Sequence, residues 1–187
     1  MARRAKQGGW KAEAAEIFEQ LLAANSAVND AVILLAEGER DKAIIAPVYD
    51  PARAMRLSAE ETVNRFMDCY PPHKAKHRDS TSSIATAWAF RNMYRALSDN
   101  FAIARVLVRL RHNEDEFPID PEDFEGLKGM HGTVNMNFAL CGSTFSRFRD
   151  APMGDMSEFL DVMKTVDKSI DLELGEIEQV LGAALGE

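Results

Sequence analysis

Residues Ser80 to Asn113 read STSSIATAWAFRNMYRALSDNFAIARVLVRLRHN. This stretch has the longest helical periodicity in the chain and its densest group of arginines. Apolar side chains recur at spacings of three and four in both halves, as expected for the buried face of a helix. Their positions are Phe90, Met93, Tyr94 and Leu97 in the first half and Ile103, Val106, Leu107 and Leu110 in the second. Because Ser98 or Asp99 can cap a second helix, the stretch predicts two consecutive helices, in a hairpin or a sharply bent pair.

A second helical hairpin is predicted near the start of the chain. Apolar residues from Trp10 to about Ala24 repeat with helical spacing, and the pattern restarts at Asn25 or Ser26. Gly38 follows the last apolar position and is a plausible C-terminal cap.

The next segment, Lys42 to Leu57, contains Pro47 and Pro51. Since proline lacks the amide hydrogen that a helix needs, we expect an extended linker here, with at most one short strand. Ser58 and Glu61 have the spacing of a capping box, which predicts that a helix opens at Ser58.

The C-terminal half predicts several shorter helices. Asp120 supplies an N-cap acceptor and Pro121 suits the first helical position, so a helix begins there. Gly126 and Gly129 are expected to keep it short. Two late helices are predicted, Ser157 to Val166 and Ser169 to Leu185.

These elements together predict an all-α protein, a single-domain irregular bundle of about seven or eight helices around the central helical pair. Residues 1–9 are expected to form a flexible basic tail, and residues 10–187 to form the domain. Two lobes, residues 10–70 and 79–187, are an alternative division.

Composition indicates a soluble intracellular protein. The chain has 187 residues and no apolar run long enough to cross a bilayer, and its basic start lacks the apolar core of a secretory signal. Two cysteines in a chain of this length form no disulfide framework. We therefore expect a cytoplasmic protein without a membrane partner.

Charge is strongly segregated along the chain. The formal net charge is -8, yet the segment from Pro71 to Arg111 carries eight Lys or Arg residues against two Asp residues. The segment from His112 to Leu127 has seven acidic residues and no Lys or Arg. Such polarity can attract an anionic ligand to one face of a protein.

The basic segment predicts contact with nucleic-acid backbone, because arginine offers a planar fork of donors that suits phosphate. The predicted contact residues are Arg91, Arg95, Arg105, Arg109, Arg111, Lys74, Lys76 and Arg78. Since phosphate contacts carry no base identity, the predicted binding is non-specific. The first hypothesis is accordingly a non-enzymatic helical subunit of a larger nucleoprotein assembly, with nucleic acid and other protein subunits as partners and no cofactor.

Two other hypotheses remain open. The same arginines could pair with acidic surfaces of this chain or of a partner, in a protein–protein adaptor that also uses the acidic C-terminal helix. Alternatively, Cys69, His73 and His77 are spaced by four and have metal-ligand side chains, which would suit a metal-dependent enzyme. That spacing fits no established zinc motif, and the sequence assigns no catalytic residue or metal ligand.

Overall fold

The computed structural model describes residues 9–70, 78–113, 121–149 and 157–185. These residues form five α-helices and no strand, which confirms the all-α prediction. The helices are α1 (Gly9–Ala36), α2 (Lys42–Cys69), α3 (Arg78–Asn113), α4 (Pro121–Arg149) and α5 (Ser157–Leu185). The predicted number of seven or eight helices is therefore wrong, because neighbouring predicted helices are continuous.

The predicted central pair is one long helix. Residues at the expected break are buried, since Asp99 is 5% exposed and Asn100 is fully buried. Their side chains continue the inward face that runs from Leu97 to Ile103, and neither Gly nor Pro interrupts it. In the same way α1 runs through Asn25, which is 8% exposed, and α5 joins the two predicted late helices. Polar residues that resembled caps instead lie within helices and face their neighbours.

The predicted linker Lys42 to Leu57 is helical throughout. Asp41 is the N-cap of α2, and its carboxylate accepts a hydrogen bond from the Ala43 amide at 2.8 Å. Pro47 and Pro51 both lie inside the helix. An interior proline costs about 3 kcal/mol of helix stability, so tertiary packing must offset it. The residues that provide this packing are Ile45, Ala52, Ala59, Val63 and Phe66.

Helix α4 begins at Pro121, as predicted, but it is not short. Gly126 and Gly129 lie within it, and the helix continues to Arg149. Its buried face, which includes Leu127, Val134 and Phe145, spans the glycine-containing portion. Packing of that face therefore outweighs the low helix propensity of glycine.

Helix α3 packs against each of the other four helices. A chain of aromatic rings joins the helices in the core. Phe90 of α3 lies 5.5 Å from Phe66 of α2 and 4.9 Å from Phe145 of α4, and Phe145 lies 5.0 Å from Phe18 of α1. Such ring pairs contribute beyond their buried area when they are tilted or offset, as these are.

Helix α5 packs against α3 and α4. Ile170, an apolar residue of the predicted helix Ser169 to Leu185, is 2% exposed and lies in the core. No helix among the described residues combines the length and hydropathy needed to span a bilayer.

The turn between α1 and α2 depends on Gly38, the predicted C-cap. Its φ is 103°, the left-handed conformation that glycine adopts without steric cost. The amide of Gly38 donates to the Leu35 carbonyl and that of Glu39 donates to the Leu34 carbonyl, which is the Schellman pattern.

Two glycine substitutions should have opposite effects. Gly38→Ala should lower the free energy of unfolding by about 1–2 kcal/mol, because alanine is strained at positive φ. Gly132→Ala should raise it by about 0.5–1 kcal/mol, since Gly132 is inside α4 and a Cβ there meets nothing within 4 Å. Urea unfolding of both variants tests this, and shifts of the same sign would contradict it.

Candidate anion-binding groove

A groove with a volume of about 710 Å³ lies between α2 and α3, with one wall residue from α5. The α2 wall is formed by Tyr49, Arg53, Arg56 and Leu57. The α3 wall is formed by Tyr94, Arg95, Ser98, Asp99, Phe101, Ala102 and Arg105. Along α2 the wall residues are separated by four, three and one positions. Along α3 most wall residues are separated from another by three or four positions. Each set therefore lies on one side of its helix.

Three arginines and one carboxylate act on the phenol of Tyr49. Burial raises the pKa of Tyr49 and the Asp50 carboxylate adds to this shift, whereas the positive charges of Arg105, Arg53 and Arg109 oppose it. Arg53 and Arg105 line the groove beside Tyr49. All three arginines are exposed. Among the residues that the structure describes, none of the three has a carboxylate within ion-pair distance. We call these three arginines and Tyr49 the basic cluster.

Arg56 is recessed in the same groove, with 19% of its side chain exposed. It donates to the Tyr94 hydroxyl at 2.7 Å and approaches the Ser98 hydroxyl at 3.4 Å. It also pairs with Glu60 at 3.5 Å and lies over the Phe101 ring at 5.6 Å. Its Nε is buried and makes no hydrogen bond within the described residues. Arg56 therefore joins α2 to α3 while one donor remains unused.

Arg95 joins α3 to α5. It donates to Asp167 at 2.8 Å and also pairs with Asp171, and Asp167 accepts the Trp88 indole N–H at 3.0 Å. The internal ion pairing that the sequence left as an alternative is thus observed at Arg95. Its charge is largely compensated, so it adds little to the positive potential of the groove.

Arg111 has a structural position outside the groove. Its guanidinium donates to the backbone carbonyls of Leu35 at 2.9 Å and Ala36 at 3.3 Å, at the C-terminal end of α1, where positive charge is favourable. It also lies 5.0 Å from the Phe124 ring centroid.

Four other predicted contact residues do not line this groove in the part of the chain that the structure describes. They are Arg91, Arg78, Lys74 and Lys76. Arg91 is exposed on α3, one turn before Arg95. Arg78 is the first residue of α3, whereas Lys74 and Lys76 lie outside the described residues. From the predicted set, Arg95 and Arg105 therefore line the groove, and Arg109 follows Arg105 one turn later on α3.

Sequence analysis missed the α2 wall, because the two prolines led to the prediction of a linker. A helical signal was present in this segment, since Tyr49, Arg53 and Arg56 recur at spacings of four and three. Helical spacing that continues across a proline would have identified this wall.

The alternative metal site at Cys69, His73 and His77 falls mostly outside the described residues. Cys69 is exposed at the end of α2, Cys141 is buried, and His73 and His77 lie outside the described residues. Among the described residues, no group of three or more His, Cys, Asp or Glu side chains is placed to hold a metal ion.

His131 belongs to a polar network between α1, α3 and α4. Its Nε2 lies 3.1 Å from Asn29 Oδ1, which also accepts a hydrogen bond from Asn100 at 2.6 Å. Asn25 donates to Asn135 at 3.1 Å in the same region. Burial lowers the pKa of His131, so the neutral imidazole is favoured in the folded chain.

Comparison of the chain with protein-family models, with curated proteins and with solved structures finds no match. The function of the groove is therefore argued from its own geometry and charge.

The two thiols should differ sharply in reactivity. Burial raises the pKa of Cys141 to about 12, and its side chain is fully buried, whereas Cys69 is exposed. Because the thiolate is the reactive form, a disulfide reagent at neutral pH should titrate one thiol quickly and the second on unfolding in urea. In Cys69→Ser the rapid phase should disappear. Two rapid thiols in the native protein would contradict the buried position of Cys141.

Stability should depend on His131 in mildly acidic solution. The folded pKa lies below the ordinary value of 6.5, so below that pH the unfolded chain binds more protons at this residue than the folded chain. The contribution of His131 to the free energy of unfolding is fully present above the pKa of the unfolded chain, and it is lost as the pH falls through the pKa of the folded chain. Unfolding free energies measured from about pH 8 to about pH 5 should decrease less in His131→Gln than in wild type. Parallel pH profiles would refute this role.

Proposed function

We propose that this protein is a non-enzymatic helical subunit of a larger nucleoprotein assembly and that it contacts nucleic-acid backbone non-specifically through the groove between α2 and α3. The observation that supports this most is the basic cluster, in which Arg53 and Arg105 line the groove beside Tyr49 and Arg109 follows one turn later on α3. All three arginines are exposed and have no ion-pair partner among the described residues.

The geometry of the cluster suits phosphate. Its guanidiniums come from exposed positions on two neighbouring helices, and each offers a planar fork of donors that matches phosphate oxygens. Successive phosphates along a strand can contact different arginines without any base being read.

The overall charge does not oppose this proposal. The net charge of -8 is a sum over the whole chain, whereas Arg53, Arg105 and Arg109 are exposed on two neighbouring helices. Local positive potential at the cluster can therefore attract a polyanion although the whole chain is acidic.

Nucleic-acid binding should weaken strongly as the salt concentration rises. The steepness of this dependence should show how many arginines of the basic cluster contact phosphate. Three phosphate contacts give a slope of about -2 to -3 in a plot of log affinity against log salt concentration. Removing two of them in Arg53→Ala/Arg105→Ala should reduce the steepness of that slope by about 1.4 to 1.8 and weaken binding at low salt. Fluorescence anisotropy with labelled oligonucleotides over a salt series provides the measurement.

The matched control is Lys11→Ala/Arg65→Ala, which removes the same charge from exposed residues that do not line the groove. This control should keep most of the wild-type slope. Equal losses in both double variants, or no binding by wild type at low salt, would reject the proposed interface.

A protein–protein adaptor is the second candidate, and one contact favours it. Arg95 already pairs with two aspartates of an acidic helix, so the neighbouring arginines could bind a similar helix of a partner. Under this alternative, Arg105→Glu/Arg109→Glu disrupts assembly with the partner protein and leaves any nucleic-acid binding unchanged. Under the proposed function the same variant loses nucleic-acid binding.

A further inference from the structure

We infer that the groove binds a single strand of nucleic acid in preference to a duplex, with a base placed against the ring of Tyr49 and the adjoining phosphates on the surrounding arginines. This inference rests on the proposed function, because it assumes that nucleic acid binds in this groove.

Arginines lie at two depths in the groove. Arg53 and Arg105 are exposed at its rim, whereas Arg56 is recessed and its Nε has no hydrogen-bond partner within the described residues. A duplex has a convex surface and keeps its bases inside, so it can reach the rim arginines alone. A single strand can enter the groove. The volume of the groove, about 710 Å³, is within the usual range for pockets that bind small ligands.

The aromatic pair in the groove is arranged as a platform. Tyr49 and Phe101 stack with ring centroids 5.2 Å apart and an angle of 29° between planes. Phe101 is 6% exposed, so it supports the half-buried Tyr49 from the protein side and limits movement of that ring. A held aromatic ring loses little conformational freedom when a base stacks on it.

Charge and stacking occur at the same place. Arg53 and Arg105 are exposed and line the same groove as Tyr49, so a base on that ring would have its own phosphates near these two guanidiniums. Stacking is available to the unpaired bases of a single strand, whereas duplex bases already stack on each other. Because every base has a stacking face, this mode also agrees with binding that does not read sequence.

The test compares fluorescein-labelled oligothymidylate with a duplex of equal length at the same ionic strength, by fluorescence anisotropy. Wild type should bind the single strand more tightly. Tyr49→Leu keeps an apolar side chain against Phe101 but removes the aromatic face, so it should weaken single-strand binding by roughly ten-fold and change duplex binding little. Tyr49→Phe should retain single-strand binding. Tyr70→Leu is the control, because Tyr70 is a half-buried tyrosine of the same chain outside the groove.

Photocrosslinking provides a second measurement that needs no substitution. An oligonucleotide containing 5-iodouracil should crosslink to Tyr49 in the wild-type protein, as mapped by mass spectrometry. Equal affinity for duplex and single strand, unchanged binding by Tyr49→Leu, or crosslinks confined to residues outside the groove would overturn the inference and leave backbone contact standing. If the wild-type protein binds neither the single strand nor the duplex, the proposed function is overturned as well.

Discussion

The packing of Phe90 connects three helices of this bundle, because that one ring of α3 contacts Phe66 of α2 and Phe145 of α4 in the core. Through Phe145 the contact extends to Phe18 of α1. Four of the five helices are thereby fixed relative to one another by apolar burial and ring geometry, which dominate the stability of helical cores. The position of α2 against α3 sets the width of the groove, so the candidate site depends on this aromatic core.

Helical periodicity predicted the fold class, and capping residues predicted the C-cap at Gly38 and the start of α4 at Pro121. It failed where polar or helix-breaking residues were given more weight than the apolar face. Asn25 and Asp99 were interpreted as boundaries because such residues favour caps, yet both are buried inside helices. The cost of Pro47 in α2 is offset by tertiary contacts that a single sequence does not display, and local propensity is regularly overridden in this way.

The sequence predicted only part of the candidate site. Arg105 and Arg109 were found from the charge of the central stretch, and the structure joins Arg53 to them from a helix that was not predicted. Sequence alone could not distinguish Arg95, which pairs with Asp167, or Arg111, which donates to α1 carbonyls, from the exposed arginines. That distinction depends on which helices are neighbours, since ion pairing between distant segments has no signature in local spacing.

The prolines of α2 have a consequence for the groove. Without amide hydrogens at positions 47 and 51, the carbonyls of Ala43 and Pro47 have no donor four residues later, and both proline side chains are exposed. The first turns of α2 are therefore held by fewer backbone hydrogen bonds than the rest of that helix. Tyr49 and Arg53 lie in this part of α2, while Arg105 lies on uninterrupted α3. This wall of the groove is therefore held in place largely by side-chain contacts with α3, such as the stacking of Tyr49 on Phe101.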